Sequence, residues 1–191
     1  MSLIAANKEL VRAKKALNNM RNSKSFDVFE EEWRLLLDCL EKLWTRVERG
    51  CQTQKNNFQP WQGKFIGLRK KDMLLKYLKQ ARDADNHSIQ EIAEYSPGGW
   101  RAKHENPQKT YIEKMVIRGG RIEEYQGDPI TITAFSATVV GIRFKNSGDW
   151  YNPPTVHLSN SIPNNTIVFS ELGIKFYEDY LRQAEEKFFK K

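Results

Sequence analysis

The spacing of apolar residues changes part-way along this chain, and this change constrains the fold more than any other feature. In the first half, apolar residues recur every three or four positions, which is the period of an amphipathic helix. From residue 130 they recur at every second position, which is the period of a half-buried strand. We therefore predict an α+β fold: an N-terminal antiparallel helical bundle, a small antiparallel β-meander and a C-terminal helix.

Two apolar stripes predict the first two helices, over residues 3–22 and 26–49. Ser25 is a suitable N-cap for the second helix, and Gly50 is a suitable end. Only a short turn separates the helices, so we expect an antiparallel pair. The second stripe is the stronger one and contains Phe26, Phe29, Trp33, Leu36, Leu37, Leu40, Leu43, Trp44 and Val47.

Residues 51–68 interrupt the helical pattern with Asn, Pro and Gly. We predict an ordered loop here rather than a flexible linker, because flexible linkers carry few aromatic residues. The rings in this segment either stack on nucleic-acid bases or pin the loop to the bundle. The apolar anchors concerned are Phe58, Trp61, Phe65 and Ile66.

A third helix is predicted over residues 70–85, with Asp72 as its candidate N-cap. It either continues through His87 or breaks near Asn86, in which case a short fourth helix follows over 88–94. Its buried stripe consists of Leu74, Leu78 and Ala81.

The second half of the chain reads as strands followed by a helix. Two adjacent glycines at 119–120 predict a hairpin, and residues 130–144 predict one long bent strand or two shorter ones. A last helix is predicted from Ser170 to Lys191, with Ser170 as N-cap, packed on the sheet or on the bundle. We place the domain boundary at residue 97, with a helical part over 1–97 and a β-rich part with the C-terminal helix over 98–191.

Composition and charge narrow the function classes. The net charge of +7 favours an anionic partner, most often nucleic acid. The sequence contains no run of eighteen apolar residues, so we expect no membrane span. Its first residues lack the pattern of a signal peptide. Cys39 and Cys51 form no CxxC pair, so we expect reduced thiols in a cytoplasmic protein and no zinc site.

One short segment, residues 82–87, combines residue types that suit phosphate chemistry. The guanidinium of Arg82 matches phosphate oxygens, and the imidazole of His87 can accept a proton near neutral pH. Asp83 precedes His87 by one helical turn and is placed to orient its ring. His104 and His157 have no partner that the sequence identifies, so we interpret them as structural or solvated.

The order Arg82-Asp83, followed by His87, resembles the motif of the HEPN superfamily, in which a His follows an Arg-polar pair by a few positions. The resemblance covers about residues 1–95. It implies a helical bundle, a two-fold dimer that brings two copies of the motif to one groove, and cleavage of RNA without metal or other cofactor. In this reading Arg82, Asp83 and His87 are the catalytic residues.

Three functions remain open from the sequence. The first is a metal-independent RNA endonuclease of HEPN type, acting as a toxin or in host defence, with an antitoxin or another protein as a further partner. The second is a non-catalytic module with the same bundle that binds nucleic acid or protein, and the third is an unrelated structural domain. In the first case we expect phosphate contacts from Arg69, Lys70, Lys71, Lys76 and Lys79.

Overall fold

The computed structural model describes residues 3–88, 90–104, 111–119 and 121–189. The side chains of His87, Ser88, Trp100 and Phe135 lie outside that description. In the described part of the chain no helix is both long enough and apolar enough to cross a membrane.

The architecture is mixed, with four helices first, a region of short antiparallel strands next and one helix last. The helices are α1 (Ile4–Asn22), α2 (Phe26–Gly50), α3 (Lys55–Lys71), α4 (Met73–Ser88) and α5 (Thr166–Phe188), with a 3-10 turn at Gln52–Gln54. The strands are β1 (Ala93–Ser96), β2 (Gly99–His104), β3 (Ile112–Arg118), β4 (Arg121–Gly127), β5 (Ile130–Phe135), β6 (Thr138–Gly141), β7 (Phe144–Asn146), β8 (Asp149–Tyr151), β9 (Val156–His157) and β10 (Asn160–Ser161).

The first two helices begin and end close to where their apolar stripes predict. Ser25 caps α2, because its Oγ accepts a hydrogen bond from the backbone N–H of Val28. The apolar face of α2 is buried along its length, and Trp33, Leu36 and Leu43 have no exposed surface. This face packs on α1, α4 and α5 and forms the centre of the core.

The predicted loop over residues 51–68 is wrong, because most of this segment is helix α3. Its buried residues, Phe58, Gln62, Phe65 and Arg69, follow one another at intervals of three or four, which is a helical period. Pro60 lies in the second turn of the helix. We predicted a loop in part because a proline inside a segment usually indicates a helix end or a turn. The aromatic rings of α3 pack against α5, as in the contact of Trp61 with Tyr180, whose ring centroids are 5.7 Å apart.

Helix α4 resolves the alternatives for the third helix. It runs without interruption through His87 to Ser88, so the helix does not break near Asn86. Residues 90–92 have no regular structure and 93–94 already belong to β1, so no fourth short helix follows. Asp72 caps α4, since its Oδ1 accepts a hydrogen bond of 3.0 Å from the N–H of Leu75.

The last helix starts four residues before the predicted position. Its N-cap is Asn165, whose Oδ1 accepts hydrogen bonds from Ile167 and Val168. Ser170 lies inside the helix, is buried, and donates its hydroxyl hydrogen to the carbonyl of Thr166. The expected cap at Ser170 is therefore wrong, because Asn165 satisfies the free N–H groups of the first turn instead.

The strands pair in a nested order rather than as a meander. β2 pairs antiparallel with β5, and the β3–β4 hairpin lies between them in the chain. β7 pairs with β8 and β9 with β10 as short antiparallel hairpins, and β1 pairs with β6. Residues 130–144, which predict one strand or two, contain β5, β6 and the start of β7, separated by short breaks.

The chain divides into two compact units, and their boundaries differ from the single boundary expected at residue 97. The first comprises residues 1–94 and 139–191 and contains all five helices. The second comprises residues 95–138 and contains β2 to β5. Helix α5 belongs to the first unit because its apolar face packs on α1 and α2.

Candidate functional site

Arg82 lies on α4 and is held by two carboxylates. Its Nε donates to Asp38 Oδ1 on α2 at 3.1 Å, and its Nη1 donates to Asp83 Oδ1 at 3.3 Å. Burial alone would lower the pKa of Arg82, but the hydrogen bonds and charges of the two carboxylates outweigh burial and raise it. The guanidinium therefore stays charged and fixed in position, although its neighbours offset part of that charge.

Asp83 is occupied by two cations. Lys79 Nζ donates to its Oδ2 at 2.6 Å, while Arg82 takes the other oxygen. Burial opposes ionisation of Asp83, yet Lys79 and Arg82 hold its pKa below the ordinary value. The expected role of Asp83, orienting His87, would have to compete with these two contacts.

His87 belongs to the last turn of α4, and its side chain lies outside the described residues. Because α4 is continuous from Arg82 to His87, the two residues leave the helix axis about 140° apart. The backbone of α4 therefore places these two positions on different faces of the helix. Within α4, Asn86 Nδ2 donates to the carbonyl of Arg82 at 3.1 Å.

Further ion pairs extend the contact between α2 and α4. Asp38 also accepts a hydrogen bond from Lys42 Nζ at 3.0 Å, and Arg34 contacts both Glu30 and Asp85. Burial by itself would raise the pKa of Asp38, but Lys42 and Arg82 together lower it. This set of alternating charges gives Arg82 a structural role, whatever else it does.

Arg82 also lines a groove beside the ion pairs between α2 and α4. The groove has a volume of about 550 Å³ and lies where the start of α1 meets the second half of α2. Four cations and one carboxylate line it, together with small and apolar residues at its sides. The charged residues are Lys42, Arg46, Arg49, Arg82 and Glu41, and the remaining ones are Leu3, Ala5, Ala6, Thr45 and Gly50.

Most cations of the groove have acidic partners. Lys42 shares Asp38 with Arg82, and Arg46 Nη2 lies 2.7 Å from Oε1 of the buried Glu9. Arg49 forms no ion pair with any residue that the structure describes. The four cations that line the groove outnumber its one lining carboxylate, Glu41, and Arg49 is the least neutralised of the four.

The five cations expected to contact phosphate occupy different environments. Arg69 is only 8 % exposed, is paired with Glu41, and lies 4.2 Å above the Trp44 ring. This buried position does not suit a phosphate contact, and burial was not visible from the sequence because α3 was not expected to be a helix. Lys70, Lys71 and Lys76 are exposed, whereas Lys79 is engaged by Asp83.

A buried Asp–His pair is the feature that sequence reasoning missed. His157 Nδ1 lies 2.9 Å from Asp72 Oδ1, and the N–H of Leu158 donates to Asp72 Oδ2 at 2.8 Å. Burial opposes ionisation of Asp72, but the bonds from Leu158, Leu75 and His157 lower its pKa. The pair ties the β9–β10 hairpin to the start of α4. The only sign of this pair in the sequence was Asp72 itself, because a carboxylate that caps a helix can accept further hydrogen bonds.

Two further features concern an unpaired histidine nitrogen and metal binding. His104, in β2, has a buried Nδ1 with no hydrogen-bond partner among the described residues. Within residues 3–88, 90–104, 111–119 and 121–189, no three His, Cys, Asp or Glu side chains are grouped so that they would hold a metal ion.

Comparisons with models of protein families, with curated proteins and with solved structures found no match to this chain. The resemblance to the HEPN superfamily therefore rests on the segment from Arg82 to His87 and on the helical first half.

Proposed function

We propose that this chain binds RNA and that the groove beside α1 and α2 is its phosphate-binding surface. The observation that carries the proposal is the convergence of Lys42, Arg46, Arg49 and Arg82 on one groove with a single lining carboxylate, Glu41. Guanidinium and ammonium groups are the usual partners of backbone phosphates. The overall charge of +7 supports the same class of ligand.

The groove suits a flexible strand better than a rigid duplex. Its volume of about 550 Å³ lies within the range of small-ligand sites, about 300–1,000 Å³, and its walls combine cations with small side chains at Ala5 and Ala6. Arg82 enters this groove already oriented by Asp38 and Asp83, so little side-chain entropy is lost when a phosphate is bound.

Salt-dependent binding tests the proposal. We expect Arg49→Ala to weaken binding of single-stranded RNA and to reduce the slope of log K against log salt by about 0.7, since one phosphate contact is lost. Arg49→Glu should weaken binding further. Fluorescence anisotropy of labelled RNA at several salt concentrations measures both effects.

Arg182→Ala is the matched control, because Arg182 is an exposed arginine that lies outside the groove and pairs with Asp179 and Glu186 on α5. Equal affinity of wild type, Arg49→Glu and a Lys42→Glu variant would reject the groove as the binding surface.

A second candidate function is RNA cleavage of HEPN type, which the position of Arg82 favours. Arg82 lines the groove and stands five positions before His87 on the same helix. In the proposed reaction His87 accepts the proton of the 2′-hydroxyl as it attacks the phosphorus, and Arg82 stabilises the charge on the phosphate oxygens. As the new bond forms, the bond from phosphorus to the 5′-oxygen breaks and that oxygen takes a proton from water, so the products are a 2′,3′-cyclic phosphate and a free 5′-hydroxyl.

The angular separation of Arg82 and His87 leads us to propose that such a site forms in a dimer. A two-fold axis near α4 would bring Arg82 of one protomer toward His87 of its partner. Light scattering should then report a dimer at micromolar concentration, and a cross-link introduced near Asn86 should join two protomers. A monomer, or an interface far from α4, would contradict the dimeric site.

A cleavage assay in EDTA separates catalysis from binding. We expect Arg82→Ala and His87→Ala each to slow cleavage by about a hundredfold or more, and Asp83→Ala to slow it less. Because Arg82 also joins α2 to α4, Arg34→Ala serves as the control: it breaks another ion pair between these helices, with Asp85, without touching Arg82, and should leave cleavage within a few-fold of wild type. If His87→Ala cuts RNA at the wild-type rate, the binding function stands alone.

A further inference from the structure

The hairpin formed by β7 and β8 presents an unusual side chain for a short surface element. Trp150 is 55 % exposed, whereas Phe144, on the paired strand, is buried. In the register of the hairpin, Phe144 lies opposite Tyr151, and Lys145 lies opposite Trp150. Since successive residues of a strand point to opposite faces, Phe144 and Tyr151 anchor the hairpin while Lys145 and Trp150 face outward.

The anchored face holds the hairpin rigidly on the helical unit. Phe144 stacks on Tyr151 with ring centroids 5.7 Å apart and contacts the buried ring of Tyr77 on α4 at 5.1 Å. Asn146 Nδ2 donates to Gln80 Oε1 on α4 at 2.7 Å. The turn between the strands is closed by residues 147 and 148, which have positive φ angles of 50° and 91°.

A second set of bonds fixes the outward face from the side. Gln90 Nε2 donates to the carbonyl of Lys145 at 2.7 Å, and Gln90 Oε1 accepts from the N–H of Lys145 at 3.1 Å. The indole of Trp150 is therefore displayed by a backbone that is held on both sides, which lowers the entropy lost when a ligand packs against it.

Two cations lie beside the Trp150 ring, and a third, Lys76, lies over Tyr151 on the anchored face. The guanidinium carbon of Arg143 lies 4.3 Å from the centroid of the Trp150 ring, and Lys76 Nζ lies 5.4 Å from the centroid of the Tyr151 ring. Lys145 is the cross-strand neighbour of Trp150. Among the described residues no carboxylate pairs with Arg143, Lys145 or Lys76, in contrast to most cations of the groove.

We propose that this hairpin is a base-stacking site for single-stranded RNA. An unpaired base stacks on the part of the Trp150 ring that Arg143 leaves exposed, while Arg143 and Lys145 contact the neighbouring phosphates. An aromatic ring flanked by unpaired cations is complementary to a base attached to an anionic backbone, and less so to a neutral or basic partner. The inference rests on the RNA binding proposed above and assigns it a second, base-dependent contact.

Binding of two matched ligands tests the stacking site. The first is a labelled oligouridylate of about ten nucleotides, and the second has the same number of phosphates but no bases. We expect Trp150→Ala to weaken binding of the oligouridylate roughly five- to hundredfold and to leave binding of the abasic strand unchanged. Trp150→Phe should keep part of the affinity, because it keeps an aromatic face.

Tyr111→Ala is the control, since Tyr111 is an aromatic residue of the second unit that is slightly more exposed than Trp150. Unchanged oligouridylate binding by Trp150→Ala would overturn the stacking site. An equal loss for both ligands would also overturn it, because the lost affinity would then not depend on the bases. Trp150-dependent binding of polyglutamate with equal affinity would instead assign the hairpin to an acidic protein partner.

The variants Arg49→Glu and Trp150→Ala separate binding by the groove from binding by the hairpin. If Arg49→Glu weakens binding and Trp150→Ala does not, the groove stands and the hairpin site is rejected. If Trp150→Ala weakens binding and Arg49→Glu does not, the hairpin site stands and the groove is rejected. Absence of RNA binding by the wild-type protein would reject both.

Discussion

Arg82 Nε donates a hydrogen bond to Asp38 Oδ1 across 3.1 Å, and this contact joins α4 to α2. Both side chains are about 70 % buried, so the pair is better shielded from solvent than a surface ion pair. We expect Asp38→Asn to lower the free energy of unfolding by about 1 kcal/mol at neutral pH.

The same pair predicts a pH dependence. The pKa of Asp38 is lowered in the folded protein, so its stabilising effect is complete above the unfolded-state pKa and is lost as the pH falls through the folded-state pKa. Urea unfolding at neutral pH and near pH 3 should show the difference between wild type and Asp38→Asn shrinking in acid. A difference that is equal at both pH values would contradict this assignment; Asp179→Asn, which disturbs an exposed pair on α5, is the control.

The Asp72–His157 contact predicts a larger loss of stability. Asp72→Ala removes the N-cap of α4 and leaves the N–H of Leu158 without its acceptor, in a site where Asp72 is 7 % exposed. We expect a cost of about 2 kcal/mol, the sum of a lost cap and a buried group left partly unsatisfied. Thermal unfolding of Asp72→Ala, Asp72→Asn and His157→Ala measures it.

The order of these variants is the test. Asp72→Asn keeps one acceptor oxygen and should lie between wild type and Asp72→Ala, while His157→Ala should cost less than Asp72→Ala. Because the pKa of Asp72 is also lowered, this stabilisation is present above the unfolded-state pKa and disappears as the pH falls through the folded-state value. His157→Ala costing as much as Asp72→Ala would show that the cap is unimportant.

Gly141 predicts a steric effect with an internal control. A methyl group on Gly141 would lie 2.7 Å from Tyr77 Oη, which is fixed by donating to the carbonyl of Ile142 at 2.9 Å. We expect Gly141→Ala to cost about 1–3 kcal/mol and Tyr77→Phe to recover part of that cost in the double variant.

Gly63→Ala and Gly67→Ala, in α3, should instead stabilise the protein by about 0.5–1 kcal/mol, because nothing lies within 4 Å of the added methyl group. Chemical denaturation of the five variants, Tyr77→Phe alone included, gives these differences, and a neutral Gly141→Ala would contradict the close approach.

The two cysteines should be unreactive while the protein is folded. Cys39 and Cys51 are buried free thiols, and burial raises the pKa of each to about 11. The thiolate is the reactive form, so alkylation near neutral pH should follow unfolding rather than precede it. Reaction with a thiol reagent in the presence and absence of denaturant tests this; rapid labelling of the native protein would contradict it.

The sequence predicted those parts of the fold that depend on a local pattern. Helices α1 and α2 follow from apolar stripes of period 3.6, and the β3–β4 hairpin follows from two glycines between strand-like runs. Helix α3 was missed because Pro60 and two glycines are usual signs of a loop, while the burial of Phe58 and Phe65 against α5 supplies the energy that keeps the segment helical.

The sequence alone predicted a mixed fold and showed an excess of positive charge, and it offered the segment from Arg82 to His87 as a candidate for phosphate chemistry. Which side chains meet depends on the tertiary structure. Arg82 meets Asp38 from 44 residues away, and Asp72 meets His157 from 85 residues away. Local propensity carries no information about such pairs, because they form only when packing of the apolar faces brings distant helices and hairpins together.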